Sequence, residues 1–124
     1  MNGNSLFLDT NIIIYFLSGD QTLAELIDEK TLYVSSITYL ELLSYPDLTS
    51  SEEEGVRHFL SECIIVDMNS VIMETVISVR KAYRLKLPDS IIIASALYLD
   101  LPIVTSDKAF NKVEELGAVY YEKQ

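Results

Sequence analysis

Apolar residues fall into two rhythms along this chain. Short all-apolar runs at Leu6–Leu8, Leu32–Val34, Ile64–Val66 and Pro102–Val104 have the pattern of strands covered on both faces of a parallel sheet, and Ala118–Tyr120 adds a last edge strand. Between these runs, apolar positions recur at helical spacing. The first helix follows Asp9 and runs through Phe16, with Asn11 as its cap and Gly19 as its end; the second spans Thr22–Glu29. A third runs from Ile37 until Pro46 stops it, with Ser35 or Ser36 as cap. Ser50 or Ser51, with Glu53 or Glu54 three residues on, predicts a capping box that opens a helix carrying Val56, Phe59 and Leu60 inward. In this reading the acidic run Glu52–Glu54 serves the helix start.

The longest helix, Val71–Tyr83, has a buried stripe of Ile72, Val76, Val79 and Tyr83. Pro88 and Asp89 open a helix so apolar, through Ile91, Ile92, Ile93, Ala94, Ala96 and Leu97, that it must be covered on most sides. The final predicted helix is capped by Asp107, reaches Leu116 and ends at Gly117. Five short strands separated by helices require crossover connections, so the fold class is α/β, a central parallel sheet with helices on both faces. At 124 residues and 49% hydrophobic, with no low-complexity stretch or linker, residues 1–124 are expected to form a single domain.

The candidate chemistry lies in four acids. Open parallel sheets gather ligands beyond the carboxyl ends of their strands, where the strand order reverses. Asp9 directly follows the first strand and Asp107 lies just past the fourth, so the two face one crevice if those strands are neighbours. Asp89, at the start of the buried helix before the fourth strand, reaches the same rim if the loop around Pro88 turns that way. Glu41, flanked by Leu40, Leu42 and Leu43, is an acid on an apolar surface and is placed to face a cleft. Taken singly, each has a plainer role: helix caps for Asp89 and Asp107, a narrow polar helix face shared with Thr38 for Glu41, a strand-end turn for Asp9. Taken together, they make an oxygen-rich pocket that repels itself unless a hard cation such as Mg²⁺ or Mn²⁺ is present, with Asp9, Asp89 and Asp107 as its ligands. That chemistry suits phosphodiester hydrolysis, because a bound cation generates hydroxide and neutralises charge on phosphate, with no Cys, His or Ser nucleophile needed.

Charge and composition modify this picture. A net charge of −10 opposes simple electrostatic capture of a polyanion. Arg80, Lys81, Arg84 and Lys86, however, place four of the nine basic residues in one short segment, readable either as a solvated helix end complementing the dipole or as an RNA-contacting patch. One cysteine, Cys63, and one histidine, His58, exclude an internal disulfide and the usual zinc site, and leave Cys63 as a small core residue. The eight tyrosines are scattered, as packing rather than base stacking requires. No apolar run approaches the roughly 20 residues of a membrane span. The polar start Met1–Ser5 lacks the order of a secretory signal, so a soluble, cytoplasmic protein with no membrane association is expected.

Leu8-Asp9-Thr10-Asn11, Ser36–Glu41 within SITYLEL, Pro88-Asp89 leading into Ala94 and Ala96, and Pro102–Phe110 as PIVTSDKAF together resemble the PIN domain of VapC-type toxins, in the right order over nearly the whole chain. The resemblance implies a PIN-like three-layer α/β/α fold and a metal-dependent ribonuclease whose four catalytic acids match Asp9, Glu41, Asp89 and Asp107, with Asn11 and Thr105 or Ser106 assisting the metal or its waters. It also implies an RNA substrate, a homodimer, and a cognate antitoxin that lays a peptide across the acidic cleft with an Arg near the carboxylates, in place of the metal's charge. One position departs: four residues after the third acid the family has a small residue, and this chain has Ile93. Two other acid-rimmed folds fit less well. A receiver domain needs an acid pair at the first strand, and a haloacid-dehalogenase-type phosphatase needs an Asp where Asn11 stands. A catalytically silent PIN-like binding or scaffolding module is the other reading, and the presence of all four acids argues against it.

Overall fold

The computed structural model describes residues 4–123; residues 1–3, which begin the polar start, and residue 124 lie outside it. Five parallel strands, β1 (Ser5–Leu8), β2 (Thr31–Ser35), β3 (Ile64–Val66), β4 (Ile103–Thr105) and β5 (Val119–Tyr120), form one sheet in the order β3-β2-β1-β4-β5. The chain builds outward from β1 to β3, then returns to the other side of β1 with β4. The reversal of order therefore falls between β1 and β4, whose register pairs Leu8 with Val104.

Six helices, α1 (Thr10–Leu17), α2 (Gln21–Ile27), α3 (Ser36–Leu43), α4 (Ser50–Ser61), α5 (Ser70–Tyr83) and α6 (Leu87–Leu99), cover the sheet. The alternation of side chains along β1 separates the two cores. Leu6 and Leu8 point into one, with Ile12, Ile13, Leu23, Val56, Phe59 and Leu60 from α1, α2 and α4. Phe7 points into the other, with Val79, Ile92, Ile93 and Ala96 from α5 and α6 and with Phe110, Val113 and Leu116. The result is the expected α/β/α sandwich. Residues Ser90 to Ala96 of α6 are all buried, as its near-continuous apolar sequence requires. Ile93 is fully buried among Phe7, Ile92 and Ile103, so the larger side chain at this position is absorbed by the sheet-side core.

Several local expectations are corrected. Asn11 does not cap α1: it is an exposed residue of the first turn, and the cap is Asp9, whose carboxylate accepts the Thr10 N–H. The capping box of α4 lies one residue earlier than expected, between Thr49 and Glu52, with both reciprocal bonds formed. The segment after Asp107 is not an α-helix but two 3₁₀ turns, Lys108–Lys112 and Glu114–Leu116, closed by Gly117 in the left-handed region at φ +64°. Its buried residues, Phe110, Val113 and Leu116, recur every three positions, which is the 3₁₀ period.

Cys63 sits half-buried just before β3, packed against the first core, with its Sγ donating to the Phe59 carbonyl; burial pushes its thiol up to about 11, which makes it an inert packing residue. After β5, the Tyr121 N–H donates to the Thr105 carbonyl and its hydroxyl donates to the Asp20 carboxylate, so the chain's last turn braces the end of β4 against the start of α2. Among the described residues no helix is long and apolar enough to cross a membrane.

Candidate active site

The carboxyl ends of β1 and β4 carry the site. Asp9 is the residue after β1 and is 5% exposed. One of its oxygens, Oδ1, accepts the Thr10 N–H at 2.7 Å; the other, Oδ2, accepts the Thr105 hydroxyl at 2.8 Å. Thr105, fully buried at the end of β4, also accepts the Asp107 N–H on the same hydroxyl at 3.0 Å. A short chain of hydrogen bonds thus runs from the Asp107 backbone through Thr105 to Asp9 and fixes the two acids relative to each other. Asp107 Oδ1 in turn accepts the Ala109 N–H at 2.9 Å, capping the first 3₁₀ turn. Between the two candidate helpers after β4 it is Thr105 that is wired into the acids, whereas Ser106 is half-buried beside it and makes none of these bonds. Asn11 makes none of them either.

Asp89 lies in the first turn of α6, where Pro88 occupies one of the first two positions and the helix dipole favours a carboxylate. The turn around Pro88 brings it to the same rim. Burial is the largest influence holding the Asp89 carboxyl above its ordinary range; repulsion from Asp107 and Glu41 adds to it, and the Lys86 ammonium opposes it. Asp9 is pushed up to about 6, again chiefly by burial: the hydrogen bonds from Thr105 and Thr10 pull it down, and the charges of Asp89 and Asp107 push it further up. Asp9 therefore feels Asp89 and Asp107, and Asp89 feels Asp107 and Glu41, with desolvation as the dominant cost for both. Among the described residues no three His, Cys, Asp or Glu side chains are already gathered closely enough to hold an ion. The Asp9 carboxylate accepts from the Thr10 amide and the Thr105 hydroxyl, and that of Asp107 from the Ala109 amide. An all-oxygen donor set of mutually repelling, partly desolvated carboxylates still fits Mg²⁺ or Mn²⁺ in chemical type.

Glu41 reaches the rim from α3. Its Oε1 accepts the Thr10 hydroxyl at 3.0 Å, and the same hydroxyl lies 2.9 Å from that of Thr38. Thr10 carries no signal of a site residue in the sequence, because a Thr in the first turn of a helix reads as a solvated position. Next to Glu41 and Thr10 opens a cleft of about 640 Å³ between α1, α3 and α4, lined by the exposed Ile14, Leu17 and Tyr45 with Leu42, Leu48 and Val56.

Of the basic residues, Arg80, Lys81 and Arg84 share an open groove with Ile77 and Leu87 at the end of α5. Arg80 Nε donates to the Leu85 carbonyl at 3.3 Å, and Arg84 ends α5 in the left-handed conformation at φ +54°. The charge of Lys86 acts on an acid of the site, Asp89.

A family model described as "PIN domain" matches residues 6–116. Among solved structures, a toxin-antitoxin complex from Klebsiella pneumoniae is 30% identical with a TM-score of 0.83, covering 94% of this chain and 98% of that one. VapBC-1 from nontypeable Haemophilus influenzae is 24% identical with a TM-score of 0.73, over 94% of this chain and 97% of that one. VapBC2 from Rickettsia felis, bound to a DNA fragment from its promoter, is 22% identical with a TM-score of 0.77, over 95% and 99%. No match was found among curated proteins.

Proposed function

The chain belongs to the PIN-domain family, and from that premise we propose that it is a divalent-cation-dependent endoribonuclease acting as the toxin of a toxin-antitoxin pair. What supports the reading is the linkage at the β1/β4 switch point: Thr105 bonds the Asp9 carboxylate to the Asp107 backbone, the charges of Asp89 and Asp107 act on Asp9, and those of Asp107 and Glu41 act on Asp89. Asp9, Asp89 and Asp107 are the residues that would hold Mg²⁺ or Mn²⁺. A cation bound there supplies an activated water and neutralises charge on the scissile phosphate. The remaining work falls to the chain itself. Thr105 locks the Asp9 carboxylate and the Asp107 backbone into one unit, so neither acid has to search for its orientation. Glu41, exposed at the edge of the rim, is placed to accept a proton from a water approaching a bound phosphodiester.

The relatives described as toxin-antitoxin complexes support an antitoxin partner. The apolar cleft beside Glu41 fits it: an amphipathic segment seated on Ile14, Leu17 and Tyr45 is delivered to the acidic rim, where a cationic residue substitutes for the cation. Exposed Val71, Met73 and Ile77 on α5 leave apolar surface for a homodimer. A cleavage map on total cellular RNA tests the function: discrete cut sites that need Mg²⁺ or Mn²⁺ support it, and an RNA profile unchanged by the protein refutes it.

Arg80, Lys81, Arg84 and Lys86 guide RNA toward the cleft, since a protein of net charge −10 needs local positive surface to hold a polyanion and Lys86 stands beside Asp89. Reversing Arg84 and Lys86 to Glu is expected to weaken binding of a single-stranded RNA about tenfold or more at low salt. The dependence of affinity on salt should flatten by about one unit of slope for each phosphate that is no longer bound. Mn²⁺ affinity should stay within a few-fold. An unchanged salt slope assigns these residues to a solvated helix end.

A further inference from the structure

Glu41 differs from the other three acids in how it is held. It is an exposed residue of α3, and among the described residues the hydrogen bond found to its carboxylate comes from the Thr10 hydroxyl, 31 residues away in sequence. Thr10 has one hydroxyl proton. When that proton goes to Glu41, the second contact of the same oxygen, 2.9 Å from Thr38 Oγ1, has Thr38 as donor. The chain of hydroxyls therefore has a direction: Thr38 donates to Thr10, and Thr10 donates to Glu41. Thr38 is fully buried and stands one helical turn before Glu41 on the same face of α3, so the chain starts from a point that does not move. The backbone of Thr10 completes the link, because its N–H is donated to Asp9 Oδ1 at 2.7 Å. One residue thereby touches two of the four acids, one through its amide and one through its hydroxyl.

We propose that Thr10 is a positioning residue, clamping the Glu41 carboxylate at a fixed reach from Asp9 through the directed chain Thr38 to Thr10 to Glu41. Serially linked hydroxyls polarise one another, so the terminal bond to a carboxylate is stronger than an isolated one. With the clamp released, Glu41 is an exposed glutamate with a flexible three-bond side chain that samples solvent as readily as the rim. The consequence for cleavage rests on the nuclease reading above; the clamp itself does not.

The test uses the full chain with Thr10→Val, which keeps the branched shape and removes the hydroxyl, Thr10→Ser, which restores it, and Thr38→Val, which removes the buried origin. The first readout needs neither cation nor RNA: side-chain ¹³C relaxation at Glu41 in metal-free protein. Glu41 should be ordered in the parent and in Thr10→Ser, averaged in Thr10→Val, and intermediate in Thr38→Val. A Glu41 equally ordered in the parent and in Thr10→Val overturns the clamp whatever the cation does. The second readout is the rate of Mn²⁺-dependent cleavage of a single-stranded RNA, expected to fall about tenfold or more in Thr10→Val with Mn²⁺ affinity by calorimetric titration within a few-fold of the parent, and to recover in Thr10→Ser. A parent that binds no Mn²⁺ while Thr10 still controls the order of Glu41 refutes the metal reading and leaves the clamp standing. Cleavage equally fast in the parent and in Thr10→Val refutes its bearing on the reaction.

Discussion

Replacing Asp9 by Asn is expected to make the metal-free protein more stable at pH 8 while abolishing its divalent-dependent activity. Asp9 is a buried carboxylate whose folded-state pKa, about 6, lies above the ordinary value of 3.8. For a group raised in this way the folded state binds the proton more tightly than the unfolded state. Its favourable contribution is complete below pH 3.8 and is lost as the pH climbs through 6. The corresponding penalty at pH 8 is up to about 3 kcal/mol, at roughly 1.4 kcal/mol per unit. Asn carries no such penalty, although it has one acceptor oxygen where Asp9 uses two, and giving up the bond from either Thr10 or Thr105 takes back roughly 1 kcal/mol. A net gain of about 2 kcal/mol should appear as a melting temperature higher by several degrees in EDTA at pH 8, and the advantage should vanish near pH 4. Adding Mn²⁺ should then stabilise the parent and leave Asp9→Asn unchanged, because a ligand selective for the folded state acts by mass action. An Asn variant less stable than the parent at pH 8 in EDTA, or a difference that does not change with pH, contradicts this account of Asp9.

The second large effect is expected at Phe110. The segment carrying Asp107 has the weaker hydrogen bonding of 3₁₀ turns, so its position depends on the side chains beneath it. Phe110 is fully buried among Phe7, Ile103 and Val113, immediately under the turn that Asp107 caps. Truncation to Ala should cost about 3–5 kcal/mol, a large share of the stability of a domain of this size. Urea denaturation measures it. Because the same ring seats Asp107, weakened Mn²⁺ binding should accompany the destabilisation in the fraction that remains folded. A cost under about 1 kcal/mol would mean that the 3₁₀ segment is held by something other than its core packing.

Parts of this structure can be read from the sequence because one pattern admits one solution. Leu6–Leu8 and Ile103–Val104 have no polar face and so belong to inner strands; Ile91–Ile93 with Ala94 and Ala96 can sit only in a helix covered on several sides. Given a parallel sheet, Asp9 and Asp107 follow at its carboxyl rim, but their closeness depends on β1 pairing β4, which no local signal specifies. The α4 cap sits one residue away from its expected place because Thr49, Ser50 and Ser51 are near-equivalent acceptors and Glu52, Glu53 and Glu54 supply a matching partner at each offset. The capping role that suits Asn11 by residue type belongs to Asp9, which also stands at the candidate site, a double position a single residue type does not reveal. Thr10 escapes a sequence reading because its meaning lies in Thr38 and Glu41, which reach it only through the packing of α1 against α3. The spacing of Phe110, Val113 and Leu116 does carry the 3₁₀ period, but Asp107 and Gly117 make equally good ends for an α-helix, which hides it.

The central claim is that the four acids form one cation-dependent site for cutting RNA, and cleavage of a quenched single-stranded RNA by the parent and by Asp9→Asn at equal Mn²⁺ concentration tests it most directly. The parent should cleave in Mn²⁺, stop in excess EDTA and resume when Mn²⁺ is restored, while the variant, folded and more stable at pH 8 without metal, should fall by at least about a thousandfold, a barrier increase of roughly 4 kcal/mol. Equal cleavage by the two proteins, or cleavage by the parent that persists in EDTA, would contradict it.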